Sequence, residues 1–110
     1  VTQRAYTRSN FRVRTRMKAP TATDARNLLH VPNIGPAMVA DFHQLGITLP
    51  GQLVGSDPFK LYRRLCELTG VRHDPCVLDT FMAATDFMRG AAPTPWWRYT
   101  AQRKQVYGPV

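Results

Sequence analysis

The chain of 110 residues has little of what would assign it a chemistry. It has two cysteines, Cys66 and Cys76. Two are too few to staple a small secreted scaffold, and in a reducing compartment they stay free thiols. No apolar run comes near the ~20 residues that a membrane span needs, and the basic start lacks the apolar stretch of a secretory signal, so the expected location is cytoplasmic. No glycine-rich nucleotide loop appears, and no cofactor is expected. The seven acidic residues stand mostly at helix starts or singly along helices. No Ser-His-Asp, Cys-His-Asp or paired-carboxylate arrangement stands out, so no enzymatic activity is expected. Cys66, His73 and Cys76 lie within eleven residues, but a closed zinc site wants four ligands. His30 or His43 would have to supply the last, paired CxxC spacing is absent, and free thiols without a metal are the simpler reading.

What the chain does have is basic charge, unevenly placed. The formal net charge is +8. Residues 1 to 18 carry Arg4, Arg8, Arg12, Arg14, Arg16 and Lys18 with no acid, whereas residues 19 to 97 hold six basic against seven acidic residues. Arg98, Arg103 and Lys104 lie in the last thirteen residues. The basicity that suggests a nucleic-acid partner therefore belongs to the ends. Residues 1–20 read as a basic, disordered arm, with Met17 a candidate start of translation. Residues 21–90 read as the folded domain, and 91–110 as a Pro/Trp linker followed by a flexible basic tail.

With 44% hydrophobic residues the middle can bury one core. Thr23 or Thr21 can cap a helix starting near Asp24, with Leu28, Leu29 and Val31 as its apolar face, ending at Pro32. Pro36 suits the first position of a second helix, where Met38, Val39, Phe42 and Leu45 share one face, and Gly46 stops it. Ile47 to Pro50 reads as extended, leading into a short helical turn over Gly51 to Val54. Ser56 or Asp57 caps a helix opened by Pro58 and closed by Gly70, and Asp74-Pro75 repeats that start for a helix running to Gly90. The expected core is Leu28, Leu29, Ile34, Val39, Phe42, Leu45, Leu61, Leu65, Leu78, Phe81 and Met82. A shift of 22 residues lays Val31 on Leu53, Gly35 on Asp57, Pro36 on Pro58 and Val39 on Leu61, an echo that implies two hairpins, the second degenerate.

The turn Val31-Pro32-Asn33-Ile34-Gly35-Pro36 is the feature with chemical content. If Asn33 or Gly35 takes a positive φ, several backbone N–H groups point outward beside the positive end of the helix beginning at Pro36. Asparagine tolerates the left-handed region, and Ile34 would plug the groove between the helices. Such an array suits a phosphate oxygen.

Leu28, Leu29, Val31, Pro32, Asn33, Ile34, Gly35, Pro36 and Val39 together resemble the helix-hairpin-helix motif of sequence-independent DNA-binding proteins, departing from its Gly-hydrophobic-Gly pattern at Asn33. Asp57-Pro58, Leu61-Tyr62, Leu65-Cys66, Asp74 to Leu78 and the Trp96-Trp97 pair extend the resemblance, over roughly residues 24 to 98, to the bacterial pathogenicity-locus family. Many members of that family carry a mitomycin-resistance label. Asn33 to Pro36 is more distantly similar to the C-terminal domain of TfoX-type competence regulators. The resemblance implies an all-α, SAM-like bundle of four to five helices with flexible termini. It also implies double-stranded DNA as partner, held by backbone contacts from Ile34 to Met38 that read no bases. The expected phosphate-binding residues are Asn33, Ile34, Gly35, Pro36, Ala37 and Met38, joined by Lys60, Arg63 and Arg64. These last three either face phosphate beside the hairpin or form a solvated helix face. The alternative is a protein-interaction adaptor on the same fold without nucleic acid, its protein partner unidentified. Asp57 would set a carboxylate where a phosphate should sit, so the second turn is not expected to bind a backbone. Trp96 and Trp97 can stack on bases of a single strand, or fold back over the core of a small domain, the reading favoured here. Helix-hairpin-helix glycosylases need a catalytic aspartate in a much larger domain, and Asp41, Asp74 and Asp86 sit in no such context.

Overall fold

A computed structural model describes residues 18–110 of the chain. Among the described residues there are four α-helices and no strand: α1 (Pro36–Gln44), α2 (Pro58–Thr69), α3 (Pro75–Met88) and α4 (Thr100–Tyr107). Short 3₁₀ turns stand at Ala22–Asp24, Leu28–His30, Pro50–Leu53 and Trp96–Tyr99. The expected N-terminal arm, residues 1–20, lies almost wholly outside the described residues, but its last part belongs to the domain. Ala19 is buried, and its N–H donates to His30 O at 2.8 Å.

Local chemistry accounts for the helix boundaries. Proline opens each of α1, α2 and α3, where a missing N–H costs nothing. Asp57 caps α2 by accepting from the N–H groups of Phe59 and Lys60 at 2.9 and 3.3 Å, and Asp74 caps α3 by accepting from Cys76 at 2.8 Å. Gly46 follows α1 and Gly70 closes α2 in the left-handed region, at φ 81 and 72.

Helix α3 is the axis of the molecule. From Leu78 to Met88 every residue except Asp86 is buried, so it is covered on all sides, as a central helix must be. It packs against α2, α4, the Pro50–Leu53 turn and the Trp96–Tyr99 turn. Phe81 stacks on Phe42 of α1 at 5.1 Å between centroids. Of the expected core, Leu28, Ile34, Phe42, Leu65, Leu78, Phe81 and Met82 are buried, Val39, Leu45 and Leu61 are packed against it half-buried, and Leu29 is exposed.

Two expectations are corrected. The segment before the hairpin is not a helix from Asp24 to Pro32 but two separate 3₁₀ turns. Asn27 sits extended and caps the second turn by accepting from Leu29 N–H at 2.9 Å, while His30 Nδ1 accepts from Arg26 N–H at 3.0 Å. Such side-chain bonds compete with helix in a segment too short to sustain one alone. The carbonyls of Leu29 and His30 are taken by Lys18 Nζ and Ala19 N–H, so the backbone is satisfied without a helical ladder.

The second correction concerns residues 91–110. Only the stretch to Pro95 is a linker, because the expected flexible tail is the 3₁₀ turn Trp96–Tyr99 followed by α4. Arg103 anchors it. Its Nε meets Asp79 Oδ1 at 2.6 Å, both side chains are buried, and Thr100 donates to Asp79 Oδ2 at 2.7 Å. Tyr99 is buried, and Tyr107 stacks on Phe59 at 4.6 Å.

The 22-residue echo recurs in the order of the elements. The turn Leu28–His30 and helix α1 correspond to the turn Pro50–Leu53 and helix α2, and Val31 and Leu53, which superpose in sequence, are both fully buried.

Candidate functional site

The hairpin between Val31 and Pro36 is held from three sides. Asn33 is the one non-glycine residue with positive φ among the described residues, at 73°. That lets the chain reverse so that Ile34 N–H donates to Val31 O at 3.2 Å while the Ile34 side chain enters the core with no exposed surface. From the N-terminal side, the Lys18 ammonium donates to Leu29 O at 2.7 Å and Ile34 O at 2.6 Å. Partial burial there pushes Lys18 below the usual lysine range. From the C-terminal side, Asn33 Nδ2 donates to Thr94 O at 2.8 Å and Asn33 Oδ1 accepts from Trp96 N–H at 3.3 Å.

Sequence reasoning assigned Asn33 to phosphate. Its side chain is committed to the Pro/Trp segment, and only its backbone conformation serves the turn. No local pattern signals a bond that spans more than sixty residues of chain.

Gly35 is the N-cap of α1. Its backbone is extended, at φ −105 and ψ −175, so no conformational demand requires glycine there. A Cβ built on it meets nothing within 4 Å, so packing does not require glycine either. What glycine does is leave the end of the helix uncovered. Among the described residues, nothing accepts a hydrogen bond from the N–H groups of Gly35, Ala37 and Met38. Helices α2 and α3 have theirs covered by Asp57 and Asp74. The cap on α3 holds the Asp74 carboxyl below the usual carboxylate range through its bonds to Cys76. The open end of α1 carries the partial positive charge of a helix N-terminus, and among the described residues no side chain bonds to it.

Pro36 and Ala37 are exposed, and Gly35 and Met38 are half-buried. The three expected basic residues lie on α2. Arg63 lies over the Phe59 ring at 5.8 Å and lines a groove with Tyr107 and Val110, on the side of α4. Arg64 makes an exposed pair with Glu67 at 3.8 Å, and Lys60 is exposed on the first turn of α2.

Beside the hairpin lies an open groove of about 500 Å³, lined by Lys18, Pro32, Asn33, Pro95 and Trp97 among others. Trp96 is half-buried and meets Trp97 edge-on at 5.7 Å, while Trp97 itself is 61% exposed. Fold-back over the core thus describes Tyr99 and part of Trp96 but not Trp97.

Cys66 and Cys76 are free thiols, and burial pushes the Cys76 thiol up. His73 donates its N–H to Cys66 Sγ at 3.5 Å, and its Nε2 lies 2.9 Å from Thr69 Oγ1. Among the described residues, no three His, Cys, Asp or Glu side chains are placed to hold a metal ion.

The hairpin, the Asp-Pro helix starts and the tryptophan pair all fall within residues 21–105, which match the family described as Cdd1, pathogenicity locus. The chain belongs to the pathogenicity-locus family. A relative, the mitomycin resistance protein McrB of Streptomyces lavendulae, is 41% identical over 86 residues, which is 78% of this chain and 82% of that protein. No solved structure matches the chain. The matched region of the family runs through Arg103, so the linker, the tryptophan turn and most of α4 belong to the same unit as the hairpin. No helix of the described residues is long and apolar enough to cross a membrane.

Proposed function

We propose that this pathogenicity-locus protein binds the backbone of double-stranded DNA without reading its sequence, as a non-enzymatic cytoplasmic protein linked to DNA damage or mitomycin resistance. The observation that carries this reading is Gly35. It is a glycine that neither backbone conformation nor packing requires, at the one proline-started α-helix among the described residues whose N–H groups no side chain covers. Bare N–H groups at a helix N-terminus suit a phosphate oxygen, and a Cβ at residue 35 would stand in its approach. The name of the McrB relative supplies the link to mitomycin.

The test is duplex-DNA affinity against salt, for the full chain and for a chain starting at Met17. Each phosphate neutralised contributes about −0.9 to the slope of log K on log salt. Similar, non-zero slopes in both place the contacts in the folded domain. Binding by the full chain alone assigns them to Arg4 through Arg16, and the domain is then a protein-docking module.

A further inference from the structure

The groove beside the hairpin is built for more than a phosphate. An indole as exposed as that of Trp97 is commonly mobile, but here the chain just before it is fixed to the hairpin by the Asn33 bonds to Thr94 and Trp96, and its ring is braced edge-on by Trp96. The groove it lines has four prolines, one cation in Lys18 and no carboxylate among its described residues. The cavity beside the second hairpin, about 320 Å³, is lined instead by two carboxylates, Asp57 and Asp86, against one cation, Arg89, so that its net charge disfavours a phosphate. Charge therefore selects the first groove for an anionic chain, and its apolar walls suit a flat, uncharged ring. Those two properties in one ligand describe a nucleotide with its base out of the stack.

We propose that Trp97 and the proline-lined groove take one unstacked base of a DNA strand whose backbone lies on residues 33–38, so that the protein favours DNA containing an unpaired nucleotide over fully paired duplex. The inference rests on the backbone-binding reading of the hairpin. Asn33 couples the two halves: its backbone makes the turn and its side chain sets the position of the Trp96–Tyr99 turn. A proline-rich peptide would also fit apolar walls, but its carbonyls bring no negative charge to Lys18.

The experiment uses the full chain and two labelled duplexes, identical except for a single unpaired thymidine at the centre of one. At fixed ionic strength, the unpaired duplex should bind about tenfold more tightly, from one base stacked on one aromatic ring, and should quench tryptophan fluorescence. In Trp97→Ala the ratio of the two affinities should fall to about one, while Trp97→Phe should retain part of the preference because it retains a ring. Melting of both variants checks the fold. Equal binding of the two duplexes by the parent, or a preference surviving in Trp97→Ala, overturns the inference and leaves the backbone reading standing. Failure to bind either duplex overturns both. Capture of a proline-rich peptide at Trp97 that DNA does not displace overturns this one.

Discussion

Replacing Gly35 by aspartate separates stability from function at a single atom group. The extended backbone at residue 35 admits any side chain and the space around its Cβ is open, so Gly35→Asp introduces no strain. The new carboxylate can do for α1 what Asp57 does for α2, accepting from the N–H groups two and three residues on. Exchanging a glycine cap for an aspartate is worth a few tenths of a kcal/mol, and a negative charge at a helix N-terminus adds ~0.3–1 kcal/mol. A gain of about 0.5–1 kcal/mol should raise the melting temperature by roughly 2–8 °C in a domain of this size. DNA affinity should move the other way. The carboxylate occupies the N–H groups and faces a phosphate at close range, a repulsion of ~1 kcal/mol in water and ~4 kcal/mol near a protein surface. A loss of at least tenfold, about 1.4 kcal/mol, is expected. Thermal melting and fluorescence anisotropy on one labelled duplex, at one salt concentration, read both quantities. A variant that melts at or above the parent and binds equally well refutes the hairpin as the DNA site. One that melts lower refutes the cap geometry from which the argument starts.

Asn33→Gly restores the Gly-hydrophobic-Gly spelling of the helix-hairpin-helix motif and keeps the positive φ, but removes the bonds to Thr94 and Trp96. It should cost about 1–3 kcal/mol in denaturant unfolding, for two hydrogen bonds, and red-shift tryptophan emission as the Trp96–Tyr99 turn loosens. Arg103→Met strands the buried Asp79 carboxylate and should cost ~3–5 kcal/mol, whereas the double change with Asp79→Leu should recover much of that in the same unfolding assay. Tyr99, pushed up to about 12 by burial and by Asp86, keeps its proton in the folded state where the unfolded chain loses it. Its contribution is therefore complete below pH 10 and lost as pH climbs from 10 toward 12; Tyr99→Phe should flatten that decline in unfolding free energy measured against pH.

The parts of this fold legible in the sequence are those set by three or four neighbouring residues. Asp-Pro at a helix start, glycine after a helix end and an asparagine that can turn left-handed each act through the local backbone, and each stands where the residues indicated. The first arm of the hairpin was not legible because its carbonyls are satisfied by Lys18 and Ala19, which no periodicity reveals. The 3₁₀ geometry also changes which residues point inward. Positions three apart share a face, so Leu28 and Val31 are buried and Leu29 turns out to solvent. The C-terminal helix was hidden for another reason. Tyr99, Arg103 and Tyr107 recur every four residues, yet Arg103 reads as solvated charge unless its partner, Asp79 inside an apolar helix, is known. Of the candidate site, the turn and its open N–H groups were legible, while Trp97 joins them only through a side-chain bond that spans the chain.

The two hairpins argue for how such a protein would hold DNA. If both turns of a paired arrangement were open, each could grip a backbone and the unit would clamp a duplex. Here the turn before α1 is open and the turn before α2 is closed by Asp57, at positions that correspond 22 residues apart. The described basic residues compensate little, since Arg63 and Arg64 engage residues of α2 itself, Arg103 is paired with Asp79, and residues 18 to 110 carry ten basic against seven acidic residues. Net attraction is then too small to hold a duplex by charge alone, and on the proposed reading the grip falls on one strand at one place. A single-strand grip gains most where the second strand is not competing for the bases. That condition is met at an unpaired nucleotide, where the base is free to leave the stack and the groove of Lys18 and Trp97 lies beside the hairpin proposed to hold its phosphate. The closed second hairpin and the open groove are thus two sides of one preference, and Asp57→Gly, which uncovers the second helix end, should raise affinity for paired duplex and narrow the advantage of the unpaired one in the same anisotropy assay.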